Sequence, residues 1–306
     1  MVDIDGGPGG RTSFLRTIRL AHRVRVDVDE VVRLYVDQHL SADAIAVRVG
    51  ASPGTVLRRL QEIGVSRRRR GPYCDPVISA LRTTWSPEVA YAVGLITTDG
   101  NLSRDGRHLA VSSQDVGLLE TLRRCLHLTA SITPCSGTQG RCHHIQWSDR
   151  RLYDWLLTVG LMPAKSLRLG ALAVPDDVFP DFVRGCIDGD GSIVMYLDRF
   201  NTPKNPKYVY DRLFVSIVSA SPRFLRWLQL NVFRIRGLSG HLTVKRSPKH
   251  HDLWRLRYAK RESLHLLRWM YYAADVPALR RKRDRAERAS ANATWYRHSL
   301  SDLDAR

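Results

Sequence analysis

The feature that most constrains this chain is an apolar helical stretch that occurs twice. Ser86-Pro87-Glu88 opens the first, which runs through Ala92-Val93-Gly94-Leu95-Ile96-Thr97-Thr98-Asp99-Gly100. About ninety residues later, Val183-Arg184-Gly185-Cys186-Ile187-Asp188-Gly189-Asp190-Gly191 repeats the outline. Each carries small residues spaced by four, Ala90, Gly94 and Thr98 in one and Gly185 and Gly189 in the other. Such a stripe lets two helix backbones approach more closely than Leu-sized ridges allow, so the two stretches are expected to pack side by side. Each ends in Asp-Gly, where the glycine is expected to take the left-handed conformation that follows many helices. One such dipeptide merely ends a helix. Two, with matched stripes and matched surroundings, predict a molecule of two related halves.

The segments after each stretch follow one order. After Asp99, strand patterns fall at 101–104 and 107–113, a helix at 115–126, strands at about 129–136 and 141–147, and a helix at 149–159. After Asp190, strands fall at 192–198 and 208–218, a helix at 222–235, strands at 240–246 and 252–258, and a helix at 261–273. The second copy has a longer hairpin tip, Asp198 to Lys207. Trp254, Leu256 and Tyr258 alternate with Leu253, Arg255 and Arg257, and Leu242 and Val244 alternate with Thr243 and Lys245, as in one-sided sheets. A sheet with an apolar back and an Arg/Lys front can lie in a major groove. The candidate contacts are Arg104, Arg107, Arg141, Arg199, Lys207, Lys245, Arg255 and Arg257.

If the repeated helices pack together, Asp99 and Asp190 meet at neighbouring C-termini. The helix dipoles already place negative charge there, and two nearby acids repel each other. A divalent cation resolves the conflict, and hard oxygen ligands favour magnesium or calcium. A metal at that point can polarise a phosphodiester and activate water.

These motifs resemble the LAGLIDADG family in its two-motif, single-chain form. The second motif, Phe182 to Ile193, is very close to the family pattern; the first departs from it at Thr97 and Thr98 and keeps the penultimate acid, Asp99. The resemblance spans about residues 73–290 and implies an α+β fold, in which two pseudo-symmetric αββαββα halves form a DNA-binding saddle. It implies a monomeric homing endonuclease that cuts both strands of a long asymmetric site in double-stranded DNA, leaves short 3′ overhangs and serves intron mobility. Mg²⁺ would be the cofactor, with Mn²⁺ or Ca²⁺ able to substitute in binding. The metal role falls to Asp99 and Asp190, with Gly100 and Gly191 beside them, and not to Asp188. The resemblance further places one basic residue per half beside the scissile phosphate: Lys165, in Gly160-Leu161-Met162-Pro163-Ala164-Lys165-Ser166, and Lys282, in Leu279-Arg280-Arg281-Lys282-Arg283. Where the family has a polar or basic side chain after the second strand of each half, this chain has Gln114 and Ser219 or Ala220. The altered first motif and the missing basic groups leave two alternatives open, a non-cleaving transcription regulator and an RNA-splicing maturase.

The N-terminal quarter reads differently. Residues 1–25 form a Gly- and Arg-containing stretch, read as a mobile basic tail, with no strand before the glycines and no GK[ST] after them to make a phosphate loop. Residues 26–66 hold three short helical patterns: Asp29 to Gln38, a second capped by Ser41 and stopped at Gly50, and a third begun by Ser52-Pro53 and stopped at Gly64. Small Ala46, turn-forming Gly50 and apolar Val56 resemble a resolvase/invertase-like helix-turn-helix. Its reading helix would present Thr55, Arg58, Arg59 and Gln61. Arg67-Arg68-Arg69-Arg70 opens an Arg-rich linker, residues 67–85, similar to arms that enter the minor groove. The halves are then residues 86–178 and 179–306.

A formal charge of +18 attracts polyanions and makes any nucleic-acid affinity strongly salt-dependent. No apolar run of membrane-spanning or signal length occurs, and five cysteines without CxxC spacing read as reduced thiols. The expected location is therefore cytoplasmic, with no membrane and no obligate protein partner. Cys135, Cys142, His143 and His144 do not have the spacing of a zinc site.

Overall fold

Helices α5 (Pro87–Asp99) and α8 (Phe179–Asp190) pack along each other in the larger of two units into which the chain divides, residues 1–73 and 74–306. The computed structural model describes residues 26–67, 75–137, 141–248 and 251–292. A Cβ built on Gly94 would stand 2.3 Å from the Phe182 carbonyl oxygen, and one on Gly185 would stand 2.2 Å from that of Tyr91. The obstacle is backbone on both sides, which cannot rotate away as a side chain can. Glycine is therefore what sets the separation of the two helices.

The strand order follows from where these helices stop. Chain conformation at Gly100 (φ −84°, ψ 155°) and at Gly191 (φ −90°, ψ 169°) is extended, not left-handed as the Asp-Gly pattern predicts. Each glycine is already the first residue of a strand, β1 (Gly100–Leu102) and β5 (Gly191–Asp198), so the helix passes into the sheet without a reversing turn. Glycine is needed there for a different reason. A Cβ at Gly100 would come within 2.5 Å of the Ile96 carbonyl oxygen, and one at Gly191 within 2.5 Å of the Ile187 Cα.

The fold class is α+β. In the first half β1 is followed by β2 (His108–Ser113), α6 (Val116–Cys125), β3 (Ile132–Pro134), β4 (His143–Ser148) and α7 (Arg150–Val159). In the second, β5 is followed by β6 (Tyr210–Ser219), α9 (Pro222–Arg236), β7 (His241–Lys245), β8 (Leu253–Tyr258) and α10 (Lys260–Met270), and helix α11 (Arg280–Asn292) comes after both. The two antiparallel sheets have like orders, β1-β2-β4-β3 and β5-β6-β8-β7. Leu102, Leu109, Val111 and Ile145 line the inner face of one; Ile193, Val215, Ile217 and Leu256 line that of the other. All belong to one core with both motif helices. Val244, expected to face inward, is 36% exposed because β7 is the edge strand of its sheet.

Two features are absent from the sequence reading. Part of the stretch read as linker is helix α4 (Pro76–Leu81), capped by Asp75. Directly after it, Arg82 donates to the carbonyls of Leu126 and His127 and pairs with Asp149 at 2.9 Å. The second feature is Arg184, wholly buried in α8, which donates to the carbonyls of Pro277 (2.6 Å) and Met270 and to the Asp181 carboxylate. It ties the chain ahead of α11 to the motif helix, and a buried guanidinium is tolerated because several acceptors surround it.

In the smaller unit, α1 (Val28–Val32) continues into a π-helical turn (Arg33–Asp37) and precedes α2 (Ala42–Arg48) and α3 (Pro53–Glu62). Ser41 and Ser52 accept from the amides of Ala44 and Thr55 at 3.1 Å, the caps expected of them. Gly50 and Gly64 have φ of +64° and +78°. Val31, Leu34, Ile45, Val56 and Leu60 form the core. The stretch 1–25 and Arg68, Arg69 and Arg70 lie outside the described residues. No helix among the described residues is long and apolar enough to cross a membrane.

Gly94→Ala and Gly185→Ala should each lower the stability of the larger unit by about 2–4 kcal/mol, since neither backbone can retreat without the other. Urea unfolding monitored by tryptophan fluorescence measures this. A loss no greater than that of an exposed Gly→Ala change would contradict the close crossing.

Candidate functional site

Asp99 and Asp190 are the last residues of α5 and α8, one from each half. Both line an open cleft of about 900 Å³, together with Ser112, Gln114, Asp115, Cys142, Gly189 and Arg281 among others. The Asp99 carboxylate lies so near the opposite helix that a Cβ on Gly189 would stand 2.7 Å from its Oδ2. Burial, and then the charge of Asp190, push the Asp99 carboxyl up to about 6, against the opposing pull of Lys282 and Lys165. Burial raises Asp190 as well, opposed by the same two lysines. Asp188 has other business. It is fully buried, accepts from the Tyr91 hydroxyl at 2.8 Å and the Leu279 amide at 2.7 Å, and is pushed by burial to about 6.

Two raised carboxyls in one cleft are what a divalent cation neutralises, and their oxygens suit a hard ion. No cluster of three or more His, Cys, Asp and Glu side chains gathers among the described residues. A divalent ion held here would have the two carboxylates as protein ligands, and its further positions would fall to water and phosphate, as magnesium accepts. The donor set fits.

The two lysines stand in matched positions beneath the acids. Lys165 donates to the carbonyls of Gly100 (2.6 Å) and Thr98 (3.3 Å). Lys282 donates to those of Ile187, Asp188 (2.8 Å), Gly189 (3.3 Å) and Gly191 (2.8 Å). Each ammonium closes the C-terminal end of its own half's motif helix, where carbonyls lack amide partners and the dipole is negative. They are 7% and 3% exposed, and neither is among the described residues lining the cleft. Burial lowers the pKa of Lys165 and brings that of Lys282 to about 8. Ala164, just before Lys165, has φ +52°, a left-handed alanine that the segment around the lysine holds in place. The carbonyls of Gly100 and Gly191, expected beside a metal, each already accept from an ammonium group.

The outward faces of the two sheets differ. On the second, the register places Arg212 opposite Tyr196, Phe214 opposite Val194, Arg257 opposite Ser216, Arg255 opposite Val218 and Lys245 opposite Leu253. Arg257 lies over the Phe214 ring at 5.0 Å and Arg212 over that of Tyr210 at 5.3 Å. Arg199 and Lys207 are exposed in the long hairpin tip. On the first sheet, the outward residues are Asn101, His108, Ala110, Ser112, Thr133, His144, Gln146 and Ser148. The Arg/Lys front expected of the sheets therefore belongs to the second one. In the first half the cations sit in connections: Arg104 and Arg107 in the β1–β2 turn, the latter 3.8 Å from Asp105, and Arg141 ahead of β4.

Ser219 accepts from the Ser221 amide at 3.1 Å, whereas Gln114 lines the acidic cleft. The basic residue in that cleft is Arg281, which pairs with Asp115 of the other half at 3.0 Å. Sequence reasoning missed it because its setting is made by residues 166 positions away in the chain. Cys135 and Cys142 bring their sulfurs to 2.9 Å, while His144 turns to Thr133 at 3.4 Å, so these four residues do not converge on one point. In the smaller unit Arg58 is exposed, Arg59 pairs with Glu62 at 2.7 Å, Thr55 shares a hydrogen bond with Ser52 at 2.9 Å, and Arg67 is 3.5 Å from Gln61.

No protein-family model matches the chain, and no curated protein does. Among solved structures, the LAGLIDADG homing endonuclease I-LtrWI bound to target DNA is 12% identical, with 72% of this chain and 96% of that one covered at a TM-score of 0.46. The LAGLIDADG meganuclease I-AabMI bound to uncleaved DNA is 14% identical, with 72% and 94% covered at 0.48. Full-length DUF199/WhiA from Thermatoga maritima is 15% identical, with 71% and 66% covered at 0.42.

The raised acids carry a pH signature. A carboxyl whose folded pKa exceeds its unfolded one gives stability that is complete below about pH 4 and lost as pH rises through about 6. In chelator, the protein should therefore be less stable at pH 7.5 than at pH 5. Asp99→Asn should raise stability at pH 7.5 by about 1–2 kcal/mol and flatten part of that slope, Asp188 retaining the rest. Thermal denaturation at the two pH values decides it; a destabilised Asp99→Asn protein would count against the paired acids.

Proposed function

We propose that this chain is a site-specific, metal-dependent double-strand DNA endonuclease of the LAGLIDADG homing type, acting as a monomer in the cytoplasm and serving intron mobility. The observation that carries the reading is the meeting of Asp99 and Asp190 in one cleft, each delivered by one of two like-folded halves. A DNA duplex has two antiparallel strands related by an approximate twofold. A two-halved protein presents one acid to each.

Asp99 and Asp190 would hold Mg²⁺, with Mn²⁺ or Ca²⁺ able to replace it in binding. When bound, the ion would supply Lewis-acid polarisation of the phosphodiester and activation of water. The protein's own residues prepare the site. Lys165 and Lys282 neutralise the helix ends and oppose the upward push that burial gives both carboxyls. Their charge acts on the acids from below, and the glycine crossing fixes the spacing between the acids. Arg255, Arg257, Arg212 and Lys245 form the duplex-facing surface of the second sheet, suited to phosphates and guanine edges. The α1–α3 unit would serve as a helix-turn-helix, with Arg58 on the reading helix and Arg67-Arg68-Arg69-Arg70 tracking the neighbouring minor groove, thereby lengthening the asymmetric site.

A second reading, a non-cleaving DNA-binding regulator, is favoured by the lysines being engaged with carbonyls and by the neutral face of the first sheet. One experiment separates the two. A randomised duplex library is incubated with Mg²⁺ and wild type, Asp99→Asn or Asp190→Asn protein. The endonuclease reading expects cleavage by wild type, reduced about 10²–10³-fold or more in either variant, and rising with pH through about 6 as Asp99 ionises. Tight binding with no cleavage by any of the three supports the regulator.

The surface assignment has its own check. Arg255→Gln and Arg257→Gln should each make the dependence of log affinity on log salt shallower by about one, while Gln146→Ala on the first sheet should leave that slope as it is. Equal effects from the two sheets would remove the asymmetry.

A further inference from the structure

We propose that Arg281 is the cation that meets a DNA phosphate in the acidic cleft, and that Asp115 holds its guanidinium ready at the rim. The proposal rests on the nuclease reading for its substrate but uses a residue that reading does not. Three carboxylates border the cleft, those of Asp99, Asp115 and Asp190, the buried Asp188 being engaged with Tyr91 and the Leu279 amide. Arg281 is the one Lys or Arg among the described residues that line it. A phosphodiester entering this space meets like charge on several sides and needs a countercharge that faces the opening. Lys165 and Lys282 do not face it, because their ammonium groups are buried against the helix carbonyls.

Arg281 is placed by its neighbour. It lies in the first turn of α11, directly before Lys282, whose bonds to the end of α8 anchor that turn. Its Nε donates to the Asp115 Oδ2 at 3.0 Å. The other oxygen of Asp115 accepts from the Gly117 amide at 3.1 Å and caps α6, so the carboxylate holding the arginine is itself fixed. The Arg281 side chain is 55% exposed and that of Asp115 is 30% exposed, so the pair is in contact with water and exchanges readily. With Nε on Asp115, the two terminal nitrogens form the edge of the guanidinium that binds phosphate bidentately. The contact also spans the halves, Asp115 from the first and Arg281 from the second.

The test compares Arg281→Gln, Arg281→Lys and Asp115→Asn with wild type, using the full chain and a cognate duplex selected from the library. Affinity is measured by fluorescence anisotropy without divalent metal across a salt series, and cleavage by single-turnover kinetics with Mg²⁺. Arg281→Gln should make the log affinity–log salt slope shallower by about one and slow single-turnover cleavage about 100-fold. Arg281→Lys should restore the slope and part of the rate, and Asp115→Asn should keep the slope. A thermal melt identifies any variant that has lost its fold.

An Arg281→Gln protein with the wild-type slope and rate overturns the proposal. So does an Asp115→Asn protein that reproduces both defects, since the ion pair would then be a structural brace. Wild type that binds duplex but never cuts ends the nuclease reading alone, and the slope still decides on Arg281. Wild type that does not bind duplex overturns both.

Discussion

The close crossing of α5 and α8 is the constraint on which the rest depends. Two helices that touch through glycine bring their ends together as well as their middles, and the ends carry the acids. Had the crossing been built on leucine ridges, helix axes some 8–10 Å apart would still pack, yet the carboxylates would stand farther from one another. The same proximity is electrostatically unfavourable, and the molecule answers it locally. Each half provides a lysine that reaches the carbonyls under its own acid.

That arrangement shows a division between groups that face the cleft and groups that support it. Asp188 resembles Asp190 in type and lies two residues away, but Tyr91 and the Leu279 amide take it into the structure. The lysines likewise sit below the surface and act through charge and through the shape of the helix ends. The cleft keeps two acids from the motifs, a glutamine, and an arginine paired with Asp115, which is a small set with which to meet a highly charged ligand.

Much of this was legible in the sequence because it is written in short-range patterns. Small residues four apart announced the crossing, alternation in Trp254, Leu256 and Tyr258 announced an inner sheet face, and Ser52-Pro53 announced a helix start. What stayed hidden was set by distance in the chain or by competition between local rules. The Asp-Gly pairs suggested left-handed glycines, but a strand begins at once and the backbone stays extended. Helix α4 follows the arginine run and was read with it as linker, although Asp75-Pro76 opens it as Ser52-Pro53 opens α3, and the partners of Arg82 beyond its end, near residues 126 and 149, are set by distance in the chain. Arg281 looked like one of several arginines around Lys282 until the fold placed Asp115 opposite it. The basic front of one sheet suggested a like front on the other, although the same alternation in His108, Ala110, Ser112, His144 and Gln146 leaves the first sheet's outer face without Arg or Lys.

The stretch between the halves takes on a meaning beyond connection. Residues 160–178 carry the left-handed Ala164, the capping Lys165 and the Leu169 carbonyl that accepts from Ser221 at the start of α9. Its near end therefore finishes a helix of the first half while its far end is fastened to a helix of the second. Such a segment behaves as a keystone: cut from the first half, it would leave α5 with an open end beneath Asp99, and cut from the second, it would take away the carbonyl that holds Ser221 at the start of α9. The two halves are alike in plan, but the chain that joins them makes them one mechanical piece.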